Sequence, residues 1–199
     1  MSAALPQVYL VRHGQTAWSL SGQATGRTDI HLTEDGEREA RALRKRLGHI
    51  SFAHVVTSPL QRARRTAELA GFSTAVRVDD DLMEMDYGAY EGRRTAEILA
   101  ERAGWRLLED GCPGGETLAA ASLRADRVIG RLRVTDGDAL VFAHRDILRI
   151  LAARWLTLHA VEARRLYLDT ASLSILGYHH NLNEPVIRLW NDARSNEET

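Results

Sequence analysis

The feature that most constrains the fold is a repeated order in which a short apolar run is followed at once by a helical pattern. Residues 139–143 are apolar without a break, which suits a strand covered on both faces, and a helix is predicted after them over residues 147–156. Residues 54–58 are followed in the same way by a helix over residues 59–70, which begins at Pro59, a favoured first helical residue. Strands that alternate with helices predict a three-layer α/β/α sandwich with a mostly parallel central sheet.

Shorter patterns predict the remaining elements. Further strands are expected over residues 7–11, 76–78, 172–178 and 186–190, and further helices over 34–47, 94–103 and 118–132. Thr33 is the expected cap of the helix over 34–47, and Gly48 is expected to end it. Residues 12–29 and 79–92 lack a helical period and are predicted as loops. Loops of such length inside compact domains are usually functional.

The overall composition limits the class of protein and its partners. The 199 residues, of which 44% are hydrophobic and 27% charged, fit one globular domain over residues 1–194 and a frayed tail over 195–199. The 26 lysines and arginines and the 27 aspartates and glutamates leave a formal net charge of −1. The chain as a whole is therefore not attracted to nucleic acid or to an anionic membrane, and neither is expected as a partner. Any anion-binding region must be local.

The sequence also favours a cytoplasmic location. No run reaches the roughly 18 apolar residues of a membrane span, because Arg149 and Arg154 interrupt the most apolar stretch, residues 147–158. The chain does not begin with a basic region followed by an apolar run. Cys112 is the one cysteine, so no internal disulfide can form, and it has no His or Cys near it at the spacing of a zinc site. We assign no role to Cys112.

Basic side chains follow three of the predicted strands. They are Arg12 and His13 after the first, Arg62 one helical turn beyond Ser58 after the second, and His144 and Arg145 after the strand over 139–143. Ligands of open α/β sheets bind beyond the carboxyl ends of the strands, so these side chains are expected to converge at one rim. A cluster of cations is costly to assemble without an anion, and helix N-termini at the same rim favour the same charge. Phosphate is the anion expected to bind there.

These residue types suit phosphoryl transfer. An imidazole can attack phosphorus directly and carry the phosphoryl group, and arginine guanidiniums can spread the charge of its oxygens. A leaving alcohol also needs a proton donor. Glu84, in a loop between apolar anchors, is the best carboxylate for that role, and Asp86 is its competitor.

Four segments carry a family resemblance that runs over nearly the whole chain. The sequence Leu-Val-Arg-His-Gly-Gln-Thr over residues 10–16 resembles the signature of the histidine phosphatase superfamily, the phosphoglycerate-mutase-like proteins. Residues 25–36, 58–67 and 84–92 contain further motifs that resemble those of the family, in the family's order. Arg-His-Gly alone would be weak evidence, but the four segments together are highly specific.

The resemblance implies roles for particular residues. His13 is implied to be the phosphorylated nucleophile, and Glu84 the general acid that later serves as base for water. Three residues are implied to hold the phosphoryl group: Arg12, Arg62 and His144. Ser19, Thr25 and Gly26 are implied to line the phosphate and substrate pocket, and weaker candidates for the substrate end are Gln15, Trp18, Ser21, Gln23 and Glu116. No metal or other cofactor is expected.

One position departs from the family pattern. The family usually has glycine after its second histidine, whereas Arg145 and Asp146 follow His144 here. Arg145 is interpreted in two ways: as a clamp for a second phosphate or carboxylate of the substrate, or as a structural residue in a salt bridge with Asp146 or Glu84. We carry Arg145 forward as a candidate substrate-binding residue.

The sequence leaves three functions open. The leading hypothesis is a metal-independent phosphomonoesterase that hydrolyses a small phosphorylated metabolite, such as a sugar phosphate, a bisphosphate or a phosphoglycerate-like acid, through a phosphohistidine at His13. The alternatives are a phosphoglycerate mutase and a weakly active relative that binds a phosphorylated ligand. An exposed edge within residues 166–168 and 172–178 would allow a homodimer. His179 and His180 are interpreted as surface residues, because adjacent residues of a strand point to opposite faces and make poor metal ligands.

Overall fold

The computed structural model describes residues 5–74 and 76–194. One six-stranded sheet lies at its centre, and the strands are β1 (Val8–Arg12), β2 (His54–Thr57), β3 (Val76–Val78), β4 (Ala139–Ala143), β5 (Leu173–Tyr178) and β6 (Pro185–Asp192). The helices are α1 (Ala17–Ser21), α2 (Glu34–Leu47), α3 (Gln61–Leu69), α4 (Thr95–Glu101), α5 (Leu107–Asp110), α6 (Leu118–Arg133) and α7 (Arg145–Trp155). Short 3₁₀ turns occupy Asp80–Leu82, Gly88–Tyr90 and Ala160–Arg165. The predicted tail over 195–199 lies outside the described residues.

The strand order is β3-β2-β4-β1-β5-β6. The neighbouring strands β3, β2, β4 and β1 are parallel, and β5 is antiparallel to both β1 and β6. The prediction of a mostly parallel α/β sheet is therefore confirmed. The prediction of an exposed edge at residues 172–178 is wrong, because β5 lies between β1 and β6 and its backbone is paired on both sides. The edge strands are β3 and β6.

Two hydrophobic clusters cover the two faces of the sheet. Along β1 and β4 the side chains alternate, so that Leu10 and Val141 belong to one cluster and Val11 and Phe142 to the other. Helices α6 and α7 supply the first cluster, and α2 and α3 supply the second. This arrangement explains why β4 is apolar at every position: both faces of a central strand are buried. None of the helices among the described residues is long and apolar enough to cross a membrane.

The structure adds short helices that the sequence pattern did not predict. Helix α1 lies inside the predicted loop over 12–29, where Thr16 and Ser19 form a reciprocal cap between side chains and backbone. No residue of α1 is buried, so it has no apolar stripe that a periodicity could detect. Helix α5 is a single turn, which is too short to show a period. Helix α3 begins at Gln61 rather than Pro59, and α7 begins at Arg145, two residues earlier than predicted.

Helix α2 begins where predicted and packs closely on the loop after β1. The Thr33 hydroxyl accepts the Gly36 N–H at 3.0 Å, which confirms the predicted cap. The backbone of Gly36 runs against that of Gln15, and a Cβ at Gly36 would lie 2.1 Å from the Gln15 carbonyl oxygen. Glycine at position 36 therefore lets the backbone after β1 approach the first turn of α2.

We expect Gly36→Ala to lower the free energy of unfolding by about 2 kcal/mol or more, because backbone atoms must move to accept the methyl group. The matched control is Gly130→Ala in α6, where an added Cβ meets nothing within 4 Å. Alanine is the better helix former, so this control should raise stability by about 1 kcal/mol. Thermal unfolding of both variants checks the opposite signs. Equal melting temperatures for the two variants would contradict the close approach.

Candidate active site

The carboxyl ends of β1, β2 and β4 lie side by side. Their pairing continues one residue past the strands, because the His13 N–H donates to the Ala143 carbonyl at 3.0 Å and the Ser58 N–H donates to the Phe142 carbonyl at 2.9 Å. This register places His13, Ser58 and His144 next to one another at the rim of the sheet. The ring centroids of His13 and His144 are 5.2 Å apart, so the two imidazoles lie side by side. The predicted convergence is present.

His13 is held in one tautomer. Its Nδ1 lies 2.8 Å from the Gly14 carbonyl oxygen, which can only accept, so Nδ1 carries the proton and Nε2 keeps its lone pair. The ring is buried. Burial, followed by the charges of Arg62 and Arg12, lowers the pKa of His13 well below its ordinary value. His13 is therefore a neutral imidazole whose Nε2 is available as a nucleophile.

His144 has the opposite tautomer. The Nε–H of Arg62 donates to Nδ1 of His144 at 3.1 Å, so Nδ1 has no proton. Its Nε2 then carries the proton and donates to the Ser58 hydroxyl at 2.7 Å. Burial and the Arg62 charge lower the pKa of His144 well below its ordinary value. His144 is thus a neutral, fully buried residue that connects Arg62 to the end of β2.

Arg62 ties the long first loop to the rim. Its Nη1 and Nη2 donate to the carbonyl oxygens of Thr28 and Gly26 at 2.9 and 2.7 Å. Gly26 is packed so closely that a Cβ there would lie 2.3 Å from the Met85 carbonyl oxygen. Gly26 does not line the main cavity of the site. It instead lets two loops cross beneath that cavity.

Arg12 has a buried guanidinium nitrogen without a partner among the described residues. Its Nη1 donates to the Leu168 carbonyl at 2.6 Å, but within residues 5–74 and 76–194 its buried Nε has no hydrogen-bond acceptor. Burial lowers the pKa of Arg12 to about 10, which leaves the group charged at neutral pH. A buried charged donor without an acceptor is expensive, and an anionic ligand that accepts this N–H would remove the cost.

Glu84 lies at the N-terminus of α7. Its Oε1 accepts the N–H groups of Met85 at 2.9 Å and Ile147 at 3.0 Å, and its Oε2 accepts only that of Asp146 at 3.0 Å. Oε2 therefore keeps a position for a proton. Burial and the charge of Asp146 raise the pKa of Glu84 above its ordinary value, against the opposing effect of the backbone N–H groups. The first turn of α7 thus holds a carboxyl group, not a free anion site.

Asp146 is the centre of a buried ionic cluster beside Glu84. It accepts hydrogen bonds from the Tyr87 hydroxyl, from Arg145 and, at 2.6 Å, from Arg149. Burial acts to raise the pKa of Asp146, but Arg145 and Arg149 outweigh it and keep the pKa below its ordinary value. Asp146 stays ionised, so its charge helps Glu84 to retain a proton. The interpretation of Arg145 as a salt-bridge partner of Asp146 agrees with this contact.

A cavity of about 280 Å³ opens above these groups. Its lining includes five of the candidate residues named from the sequence, which are Arg12, His13, Ser19, Thr25 and Glu84, together with Arg145. The side chain of Arg145 is 46% exposed, so it contacts Asp146 and also borders the cavity. Arg62 and His144 lie beneath the cavity, fully buried. Trp18 and Gln23, the weaker candidates, also line it.

Three weaker candidates do not reach this cavity. The Gln15 side chain accepts a hydrogen bond from the Thr33 hydroxyl at 2.9 Å and faces the start of α2. Glu116 forms an ion pair with Arg124 at 2.6 Å, and Ser21 donates to Gln23. Gln15 and Glu116 therefore serve local structure.

The sequence patterns missed the apolar side of the cavity. Tyr90 and Trp105 pack edge to face with ring centroids 5.3 Å apart, and both line the cavity, as do Leu107 and Cys112. Burial raises the pKa of Cys112 to about 11, so its thiol is neutral. These residues follow separate loops and turns, and no spacing in the sequence joins them.

One group of side chains elsewhere has the arrangement of a metal site. Among the described residues, His179, His180 and Glu184 place their ligand atoms within 4.8 Å of one another. The expectation that the two histidines point to opposite faces is wrong, because they follow β5 in a bend and their ring centroids lie 3.7 Å apart. All three are exposed, as expected. Because β5 is antiparallel to β1, the carboxyl end of β5 lies at the amino end of β1, on the side of the sheet away from the cavity.

The fold and the groups that surround the cavity of about 280 Å³ define an α/β enzyme site for a phosphate ester. Cationic groups, an imidazole nucleophile and a carboxyl group lie together at one rim of the sheet. Comparison with known proteins agrees. A family model described as the histidine phosphatase superfamily (branch 1) matches residues 8–193. The chain belongs to the histidine phosphatase superfamily.

Several relatives are similar over most of their length. An acid phosphatase of Mycobacterium tuberculosis is 35% identical, with 89% of each chain covered. A sedoheptulose 1,7-bisphosphatase of Saccharomyces cerevisiae is 33% identical over 95% of this chain and 94% of its own, and a probable phosphoglycerate mutase of Cronobacter sakazakii is 35% identical over 86% and 85%. The solved structure of an open reading frame product of Mycobacterium tuberculosis has a TM-score of 0.88 and 34% identity, with 95% and 99% covered.

Proposed function

We propose that this protein is a phosphatase that hydrolyses monoesters of small phosphorylated metabolites through a phosphohistidine at His13. The observation that carries the proposal is the buried, unpartnered Nε of Arg12, a residue that lines the same cavity as the neutral His13 ring. A phosphoryl oxygen would accept the Arg12 N–H while phosphorus faces the His13 nucleophile. Relatives named as an acid phosphatase and a bisphosphatase support the same reaction class.

The reaction has two steps. In the first, Nε2 of His13 attacks phosphorus, the ester P–O bond breaks, and Glu84 donates its proton to the leaving oxygen. In the second, the Glu84 carboxylate takes a proton from water, whose oxygen attacks phosphorus as the P–N bond to His13 breaks, which releases inorganic phosphate and restores the neutral imidazole. The arginine charges stabilise the phosphoryl oxygens throughout. Because the nucleophile, the cationic groups and the proton donor are all side chains, we propose that no metal ion takes part.

Ser19, Thr25 and Arg145 are proposed to contact the rest of the substrate, since they line the cavity beside the catalytic groups. Gly26 and Gln15 are proposed to act through the backbone of the first loop, because their side-chain positions lie away from the cavity. We propose one domain over residues 1–194, and the single sheet among the described residues supports it. The cytoplasmic location and the homodimer stay predictions.

The second candidate is a mutase that returns the phosphoryl group to its substrate, and the similarity to a probable phosphoglycerate mutase favours it. We expect release of inorganic phosphate from a panel of phosphorylated metabolites to exceed isomerisation of 3-phosphoglycerate. Both are measured with and without 2,3-bisphosphoglycerate as primer. Efficient isomerisation that depends on the primer would instead establish the mutase. Binding of phosphate esters without turnover would establish a phospho-ligand-binding protein.

A further inference from the structure

A second cavity, of about 570 Å³, adjoins the catalytic one. The two cavities share Arg106, Leu107 and Arg145 in their walls. The second cavity is also bordered by Arg149 and by Arg164 and Arg165 of the 3₁₀ turn Ala160–Arg165. A ligand held at His13 that extends past Arg145 would reach this second space.

The second cavity has an excess of positive charge. Five arginines line it: Arg106, Arg145, Arg149, Arg164 and Arg165. They share three carboxylate partners, because Arg106 and Arg164 both bind Glu109, Arg145 and Arg149 both bind Asp146, and Arg165 binds Glu162. Guanidiniums that share carboxylates retain net charge, and their mutual repulsion in one cavity is relieved by an anion.

Several donors of this cluster remain available. Arg145 uses Nε and Nη2 on Asp146, and Arg149 uses Nε on the Ala163 carbonyl and Nη1 on Asp146. Within residues 5–74 and 76–194, Nη1 of Arg145 and Nη2 of Arg149 have no hydrogen-bond partner. Arg106 and Arg165 are mostly exposed. The free edges of planar guanidiniums suit the paired oxygens of a phosphate or carboxylate.

We propose that this second cavity binds a second anionic group, a phosphate or a carboxylate, of the substrate whose phosphoryl group lies at His13. The inference rests on the proposed phosphatase function. Arg145 borders both spaces, as Arg106 and Leu107 do, and its salt bridge with Asp146 holds it at the boundary between them. The preferred substrates are therefore bisphosphates and phosphorylated acids, not phosphate esters with a neutral body.

The test compares esters that differ in the second anionic group alone. One pair is 3-phosphoglycerate and glycerol 3-phosphate, and a longer pair is fructose 1,6-bisphosphate and fructose 6-phosphate. Initial rates of phosphate release give kcat/KM for each, and we expect the doubly anionic member of at least one pair to be preferred. In the double variant Arg164→Gln/Arg165→Gln, and separately in Arg106→Gln, that preference should fall about tenfold, the effect of losing a charged hydrogen bond.

Arg127→Gln is the matched control. Arg127 resembles Arg165 in exposure and in pairing: its side chain is 55% exposed and binds the carboxylate of Asp81, while that of Arg165 is 68% exposed and binds Glu162. Unlike Arg165, Arg127 lies on α6, outside both cavities. We expect its substrate preference to equal that of the wild type. The subsite would be overturned if the kcat/KM preference for the doubly anionic ester were unchanged in both Arg164→Gln/Arg165→Gln and Arg106→Gln.

Failure of the subsite and failure of the phosphatase function give different results. Citrate serves as a free anion that probes the second cavity. If the wild type shows no preference in either pair, and citrate changes turnover of p-nitrophenyl phosphate noncompetitively, the cavity binds a separate anion. The assignment of the cavity to the substrate is then wrong. If no ester, p-nitrophenyl phosphate included, releases phosphate, the phosphatase function itself is wrong. Equal turnover of both members of each pair, without an effect of citrate, overturns the subsite and leaves the phosphatase function in place.

Discussion

Replacement of His13 by alanine is expected to lower kcat for phosphate release by about 10⁴-fold or more, because no other side chain at the rim can form the covalent intermediate. Nε2 of the neutral His13 ring is the atom that we propose bonds to phosphorus. KM should change far less, since Arg12 and the rest of the cavity remain. Steady-state phosphate release from any accepted ester measures the loss.

The intermediate can also be trapped. Rapid alkaline quench of the wild type with a ³²P-labelled ester should give a protein-bound phosphate that is stable in alkali and is released on later treatment with acid, as a phosphoramidate is. The His13→Ala variant should give none. His180→Ala is the control, because His180 is an exposed residue that binds Glu184. Label retained on the His13→Ala protein would show that another residue is the nucleophile.

Replacement of Glu84 by glutamine is expected to lower kcat by about 10² to 10³-fold for alkyl phosphates, whose leaving oxygen needs a proton. The amide keeps the size of the side chain, and its oxygen can still accept the N–H groups of Met85 and Ile147, while the acceptor for the Asp146 N–H is lost. p-Nitrophenyl phosphate has a good leaving group, so its rate of phosphorylation of His13 should fall much less. Stopped-flow release of p-nitrophenol, compared with steady-state rates for glycerol 3-phosphate, separates the two effects.

The pH profile follows from the same carboxyl group. Glu84 must be protonated to donate, and its pKa is raised, so wild-type kcat should fall as the pH rises through that pKa. His13 must be neutral, and its lowered pKa places the acidic limit of activity well below pH 6.5. The Glu84→Gln variant should lose the alkaline limb that Glu84 produces. An unchanged alkaline limb in this variant would assign the titration to another group.

Asp86→Asn is the matched control for Glu84→Gln. Asp86 was the competing candidate for the proton donor, but its Oδ1 accepts the Gly88 N–H at 2.8 Å and the residue does not line the cavity. Asparagine can keep that hydrogen bond. We expect Asp86→Asn to retain the wild-type leaving-group dependence and pH profile, and a loss as large as that of Glu84→Gln would reverse the assignment.

Much of the candidate site follows from the strand pattern. Arg12 and His13 are adjacent residues at the end of β1, and His144 follows the uninterrupted apolar run of β4, so these positions are recognisable without coordinates. Arg62 is recognisable because it lies one turn inside a helix that follows a strand. The tautomers of His13 and His144 were not predictable. They depend on contacts with Gly14 and Arg62, and the second contact joins residues 82 positions apart.

The outer part of the site was not predictable from spacing. Trp105 and Tyr90 pack together although α4 lies between them in the sequence, and the Gln15 side chain faces Thr33 although it lies two residues after His13. The Arg164 and Arg165 side chains reach the cavity only because the turn after α7 packs beside α5. Such contacts depend on loop conformation, and loops lack the periodicity from which helices and strands are predicted.

The sequence by itself determined the α/β architecture and which strand ends bear reactive side chains, because backbone hydrogen bonding and burial impose periods of two or of about 3.6 residues on the chain. Only the tertiary structure decided the protonation state of each imidazole, the isolation of the Arg12 Nε and the convergence of five arginines on one cavity. Those properties arise from burial and from contacts between residues distant in the chain, and no local pattern records them.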